Sequence, residues 1–443
     1  MERLQEWKRW HWLLAIGLLA FSGWGLSQVV ASFSKPSEEL LAQGQELFEH
    51  EWQLNDPLAA EGDGLGPVFN ARSCVECHFQ GGVGGAGTNQ HNVTAFTALP
   101  NPQAGESEVV AGVIHKDAVL DQFRESMDIV RAKFPIIKGL RSEVNGCVYQ
   151  EPDFNPLIVA SVNTPAIFGA GQIDRIPDSA IRNSRRWNLL SQIGQELQGK
   201  FDSIPAGRVR ILPDGRVGKF GWKGQFASVE DFVAAACAVE IGLTNPKRAQ
   251  DKPHQQGTDE NAKLDLDRRQ FRALVAFCES LPAPILELPA SPELKQTIAH
   301  GQELFSSIGC AICHIPDVAD VKGVYSDFLL YSLEDRDSDN YTIVPSEIPL
   351  PSSEPRPNEW KTPPLWGVAD SAPYMHDGRA STLMDAILQH GGDARTVRDK
   401  FGKLNNEDQQ AVLAFLKALK APSNVPAVKS QPEPVQLAGG NRR

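Results

Sequence analysis

The pattern Cys-x-x-Cys-His occurs twice in this chain, as CVECH at Cys74–His78 and as CAICH at Cys310–His314. Two thiols one helical turn apart can add across the two vinyl groups of a porphyrin, and the next histidine then lies under the iron as its proximal ligand. The pattern therefore reads as covalent attachment of haem c. A four-cysteine zinc site would bring its pairs to within about 15–20 residues of each other. These pairs stand in opposite halves of a 443-residue chain, each with its own histidine. Thioredoxin-like pairs need no such histidine. Two covalently bound haem c groups are expected, held by Cys74, Cys77, Cys310 and Cys313, with His78 and His314 as iron ligands. Cys147, Cys237 and Cys278 remain, an odd number that allows at most one disulfide. The apolar settings of Cys237 and Cys278 (FVAAACAV and ALVAFCES) read as small buried hydrophobes.

The N-terminus is consistent with this chemistry, because bacterial haem c attachment requires export. Lys8 and Arg9 precede a run from Trp10 to Ser34 without a charged residue, centred on LLAIGLLAF. Val29 and Ala31 suit a signal-peptidase site, and the run is also long enough to span a bilayer. Residues 1–34 are expected to be a signal peptide or an N-terminal anchor in the inner membrane, with the remainder in the periplasm. The net charge of -12 argues against nucleic acid as a partner. It suits a small redox protein as electron donor, with a quinol-linked donor as the other option.

The chain also repeats itself. GQELF stands at Gly44–Phe48 and again at Gly301–Phe305, each time ahead of a Cys-x-x-Cys-His. Thr164-Pro165 leads to Phe168-Gly169, and Thr362-Pro363 leads to Trp366-Gly367. WKGQFASVEDFVAAA, from Trp222, aligns without a gap on HDGRASTLMDAILQH, from His376. Ser228 with Asp231, and Thr382 with Asp385, have capping-box spacing, which predicts a helix after each cap. Val229, Val233 and Ala236 then match Leu383, Ile387 and His390 on one helix face, with Gly391-Gly392 ending the second helix. The copies differ where it matters most. His390 can complete the coordination of the second iron, whereas the first copy has Ala236. One six-coordinate haem and one with an open, reactive face are expected.

Taken together, GLGPVFNARSCVECH, TPAIFGAG, FGWKG, LTNP, YSDFLL, TPPLWG, YMHDGRASTLMDAI and HGGDA resemble the bacterial di-haem oxidoreductase family of peroxidases or thiol oxidoreductases. More distantly the chain is similar to di-haem cytochrome c peroxidases and to the di-haem enzyme that matures tryptophan tryptophylquinone. The resemblance covers about residues 40–420. It implies an axial ligand fourteen residues after His376, which is His390, with Met375 ranked second. It implies that Trp222 is an electron conduit between the haems, with a core aromatic as the alternative reading. Where relatives carry a glutamine, this chain departs with Phe232. Glu240 is the acid nearest to the position of the family's catalytic glutamate, and a carboxylate there can move a proton between the oxygens of peroxide. His376, Asp377 and Arg379 are expected to hold haem propionates or a structural calcium ion, or simply to clamp a loop. Asp174 matches a family acid without a defined role.

His91 and His115 are the candidates for a sixth ligand of the first iron, while His50, His254 and His300 read as surface residues. The expected architecture is mainly α, with two cytochrome c-like haem domains related by the repeat: an N-terminal one over 35–290, enlarged by insertions, and a C-terminal one over 291–421. The Pro-rich LPAPILELPASP joins them, and residues 422–443 are expected to be a disordered tail. Function divides between an oxidoreductase that acts on hydrogen peroxide or a related substrate, a partner protein or thiol included, and a non-catalytic di-haem electron carrier.

Overall fold

The computed structural model describes residues 36–101, 105, 109–124, 126–144, 147–150, 152–184, 207–253, 263–333, 354–356 and 358–428. The expected signal peptide or anchor, His254 and the tail from residue 429 lie outside them. Among the described residues no helix is long and apolar enough to cross a membrane. The helices, in chain order, are α1 (Glu38–Glu49), α2 (Cys74–Cys77), α3 (Ser126–Lys133), α4 (Ala170–Asp174), α5 (Val229–Ala236), α6 (Arg268–Ser280), α7 (Pro292–Ile308), α8 (Leu383–Leu388), α9 (Arg395–Gly402) and α10 (Asn406–Lys417).

The two GQELF segments have the same packing role. Helix α7 starts at Ser291, whose side chain accepts from Leu294 N–H, continues through Pro292, and stops at Gly309 in the left-handed region. Ile298, Phe305 and Ile308 form its buried stripe. Gly301 lies in that stripe against α10, where an added Cβ would stand 1.9 Å from the Ala411 carbonyl oxygen. Phe305 meets Phe415 of α10 at 5.4 Å between ring centroids. In the first half Gly44 of α1 has the same relation to α6, with a Cβ falling 2.1 Å from the Ala273 carbonyl oxygen. Phe48 meets Phe277 of α6 at 5.4 Å. In both places glycine lets the backbones approach, and the phenylalanine one turn later fills the seam.

Strands form a larger part of the chain than the mainly α expectation allowed. β1 (Val93–Ala98), β2 (Val110–Ile114), β3 (Arg141–Val144), β4 (Cys147–Gln150) and β5 (Leu157–Val162) all lie between the first haem motif and α4. β1 is the centre of an antiparallel sheet of order β2–β1–β5, and β3 pairs with β4 in a hairpin. Phe96, Ala98, Ile114 and Leu157 of the sheet bury a small core against Val130 of α3. These strands form a β module, encoded by segments rich in Val, Thr and Phe such as VTAFTA and LIVASV. Later, β6 (Leu330–Ser332) pairs with β7 (Glu359–Lys361), opposing Tyr331 to Trp360.

The Pro-rich connection is not a bare linker, since Ile285–Leu286 pairs antiparallel with Leu419–Lys420. The expected disordered tail also begins as ordered chain. Val83 N–H donates to the Pro426 carbonyl at 3.0 Å.

Candidate haem sites

Each attachment motif is a short turn whose geometry is set locally. Ser73 caps α2 by accepting from Glu76 N–H, and His78 N–H closes the turn on the Cys74 carbonyl at 3.0 Å. Gly309 leads into a turn at Cys310–Ile312, closed by His314 N–H on the Cys310 carbonyl at 3.0 Å. The ring of Phe48 lies 6.2 Å from His78, and that of Phe305 lies 6.4 Å from His314. The GQELF phenylalanines therefore wall both proximal histidines.

The three predicted iron ligands share one hydrogen-bonding state. The Nδ1 atoms of His78, His314 and His390 bond to the backbone carbonyls of Gly85 (3.1 Å), Tyr325 (3.0 Å) and Ala386 (2.7 Å). A carbonyl can only accept, so Nδ1 carries the proton and the lone pair falls on Nε2, the state of a metal-binding imidazole. Burial lowers the pKa of His78 to about 4, and burial together with the charge of His390 does the same for His314. Both are neutral at physiological pH, as ligation requires. Burial also pushes the Cys74 and Cys310 thiols up to about 12.

A cavity of about 280 Å³ is lined by Cys310, Cys313, His314, His390, Met375 and Trp222. It holds two thiols beside one imidazole and a second imidazole in its wall. Lys361, 6 % exposed, also lines it, with a pKa lowered by burial to about 8. His376 stacks on Trp360 at 3.5 Å, and Lys223 Nζ lies 4.0 Å from the same ring. Arg379 contacts His376 Nδ1 at 3.4 Å. Burial, then the charges of Arg379 and Lys223, hold His376 neutral with a pKa near 3. An apolar cavity with the Cys310 and Cys313 thiols, the His314 and His390 imidazoles and the buried Lys361 fits a haem and its propionates. Among the described residues no three His, Cys, Asp or Glu gather at one point, and Asp377 pairs with Arg379 at 3.2 Å.

His390 reaches its place differently from the repeat-based expectation. The caps form as predicted, with Ser228 accepting from Asp231 N–H and Thr382 from Asp385 N–H, both at 3.1 Å. Yet α8 ends at Leu388, so His390 follows the helix instead of sitting on its face. Its counterpart α5 runs on into a π-helical turn, Cys237–Ile241. Met375 is in the left-handed region at φ 70° and lines the same cavity.

The π turn carries Glu240. Its backbone carbonyl accepts from Asn70 N–H and Ala71 N–H, and its carboxylate accepts from Asn70 Nδ2 at 2.7 Å. Burial raises its pKa to about 7 against the lowering by Asn70. Together with burial, the charges of Glu76 and Glu240 raise the Cys77 thiol, so this carboxylate acts on the first attachment site. His115 is buried and bonds through Nε2 to the Val239 carbonyl at 2.9 Å, the residue before Glu240. That bond makes His115 a brace for the π turn. Asn70 and this role of His115 were missed from the sequence. Their partners lie 170 and 124 residues away, and no local pattern marks them. His91 turns its Nδ1 to Thr88 Oγ1 at 3.2 Å, and its ring packs edge-on against Phe79.

Trp222 lines the cavity at Cys310–His314 and donates from Nε1 to the Asn163 carbonyl at 2.8 Å. Two residues on, the Pro165 carbonyl bonds to His78. Phe232 packs against Phe220 and Phe226, with ring centroids at 6.3 and 5.6 Å. Asp174 accepts from Val229 N–H at 3.2 Å and so secures the first residue of α5. His50 is not a plain surface residue, because it pairs with the buried carboxylate of Asp56 at 2.9 Å. His300 pairs with Asp408 on the surface.

A family model described as "Di-haem oxidoreductase, putative peroxidase" matches residues 143–419. The chain belongs to the di-haem oxidoreductase family. The match begins downstream of Cys74–His78, so the first attachment site rests on its own geometry. No curated protein matches the chain. Among solved structures it is similar to a MauG-like protein associated with microbial copper homeostasis (15% identity, 91% of this chain and 95% of that one, TM-score 0.40). It is also similar to the di-haem peroxidase BthA from Burkholderia thailandensis (14%, 88% and 87%, 0.37). A third is hydrazine synthase from Kuenenia stuttgartiensis (16%, 86% and 88%, 0.36).

Proposed function

We propose that this di-haem oxidoreductase is an exported c-type cytochrome that receives electrons at the His314/His390 site and acts on hydrogen peroxide or a related oxidant at the His78 site. The observation that carries the reading is the shared state of His78, His314 and His390, each holding its Nδ1 proton on a backbone carbonyl. A haem held at each Cys-x-x-Cys-His supplies the one-electron chemistry. The chain's own residues do the rest. Glu240, poised near pH 7, takes and returns a proton at its carboxylate, and Asn70 and His115 hold it there. Trp222 bridges the two sites, while Lys361, Arg379 and His376 orient and neutralise propionates at the second. The matched helix pairs, caps and Thr-Pro turns support two cytochrome c-like halves, over about 35–290 and 291–421, joined by Ile285–Leu286. The periplasm is the proposed location, and a small redox protein or quinol-linked component is the proposed donor. The second reading, an electron carrier without a substrate, is favoured by Phe232 where relatives carry glutamine.

Two results are expected. His390→Ala should turn the C-terminal haem from low-spin to high-spin in optical and EPR spectra, with haem content unchanged. An unaltered spectrum would transfer the ligand role to Met375. Trp222→Phe should slow re-reduction of the N-terminal site by roughly tenfold or more in stopped-flow traces, and an unchanged rate would leave Trp222 as a packing residue only.

A further inference from the structure

The loop between His78 and Gly87, FQGGVGGAG, carries Gly85, whose carbonyl holds His78 Nδ1 at 3.1 Å beside the Pro165 carbonyl, which also bonds this histidine. It is folded tightly on itself, with Gly84 N–H on the His78 carbonyl at 3.1 Å and Gly85 N–H on the Gly82 carbonyl at 3.0 Å. A Cβ on Gly85 would stand 1.7 Å from the Gln80 carbonyl oxygen. Ordering so many glycines costs more conformational entropy than ordering other residues, so contacts from outside the loop help to fix its shape.

Ile167 N–H donates to the Gly84 carbonyl at 2.9 Å and Leu281 packs beside Gly84, and the contacts to Gly81, Gly82 and Val83 come from residues 421–426. Val83 is fully buried, and its N–H donates to the Pro426 carbonyl at 3.0 Å. An added Cβ on Gly81 would stand 2.6 Å from the Ala421 Cβ, and one on Gly82 would stand 2.3 Å from Val425 Cγ2. Ala421 N–H is in turn fixed on Asp370 Oδ2 at 2.8 Å, and Gln80 Nε2 donates to the Ala372 carbonyl at 2.6 Å. The segment Ala421–Pro426 directly follows α10 and the Leu419–Lys420 strand. Phe415, Leu416, Ala418 and Leu419 there belong to the core around the second attachment motif.

We infer that Ala421–Pro426 is a positioning strap that presses the Gly81–Gly85 loop into the shape that lets the Gly85 carbonyl hold His78 Nδ1. The strap thereby ties the electronic state of the first haem's proximal ligand to the packing of the second haem's half. Val425 and Pro426 act through the loop and touch no reacting atom. The inference rests on the proposed haem at His78.

The test uses three variants of the full, haem-loaded protein. Removal of residues 429–443 leaves the strap in place and should leave both haems as in the wild type. Removal of residues 422–443, and separately Val425→Asp in the full chain, should raise the midpoint potential of the N-terminal haem and alter its EPR signal, because the weakened Nδ1 bond makes His78 a poorer electron donor. The signal and potential of the C-terminal haem should stay the same. Val425→Leu should restore wild-type behaviour. If wild-type protein carries no haem at Cys74 and Cys77 by mass spectrometry, the functional reading fails. If it carries haem there, and neither the truncation nor Val425→Asp changes the N-terminal potential or spectrum, the strap is refuted. Equal shifts at both haems would also refute it, since they would report general loosening.

Discussion

Glu240→Gln is expected to lower peroxide turnover by roughly a hundredfold or more while making the folded protein more stable above pH 7. The two effects share one cause. Burial raises the Glu240 pKa from 4.5 to about 7. Below about pH 4.5 the folded and unfolded chains both hold the proton, and the group has no effect on stability. Between about 4.5 and 7 the folded protein retains a proton that the unfolded chain has released, so stability falls as pH rises. Above 7 the full cost of the buried charge is present, about 2 kcal/mol once the partial exposure of the residue is allowed for. Glutamine can still accept from Asn70 Nδ2, so the π turn keeps its brace, but it cannot exchange a proton. Urea melts at pH 5 and pH 8 should show a gain several times larger at pH 8 than at pH 5, beside a steady-state rate that has lost its inflection near pH 7. Unchanged turnover would remove Glu240 from the chemistry. A variant less stable than wild type at pH 8 would show that the carboxylate is not the buried charge described.

The second large effect is on stability alone. Gly301→Val should destabilise the protein by about 3 kcal/mol, because even the first carbon added at Gly301 would stand 1.9 Å from the Ala411 carbonyl oxygen. That oxygen belongs to the backbone of α10, so relief requires the two helices to separate and Phe305 to leave Phe415. The control has the opposite sign. Gly402, at the end of α9, meets nothing within 4 Å, and Gly402→Ala should be neutral or stabilising by up to about 1 kcal/mol. Denaturant midpoints of the two variants decide the matter. A Gly301→Val protein as stable as wild type would mean that the GQELF glycine is not a helix contact.

The candidate residues are legible in the sequence wherever the proposed chemistry demands a local spacing. Cys74, Cys77 and His78, like Cys310, Cys313 and His314, must lie within one turn of each other to meet one porphyrin. The caps at Ser228 and Thr382 are likewise local, because a side chain reaches an amide only three residues away. His390 was found by comparing the repeat copies, although it stands past the end of α8 and not on it. The ungapped match could not show that α5 continues as a π turn, since the i to i+5 bonds of that turn depend on what packs around it.

What remained hidden is long-range. Asn70 and His115 come from a segment and a β module far from Glu240 in sequence, and only folding brings them to it. The strap at Ala421–Pro426 reads as a polar, Pro-containing tail until the loop it covers is known. The sequence by itself determined that two haem motifs exist, that each follows a GQELF helix, and that the halves differ at His390 and Ala236. Tertiary structure alone decided how a carboxylate is raised to a useful pKa and which carbonyl holds each ligand. Burial and hydrogen-bond partners are properties of the packed chain, and nothing in the spacing of residues specifies them.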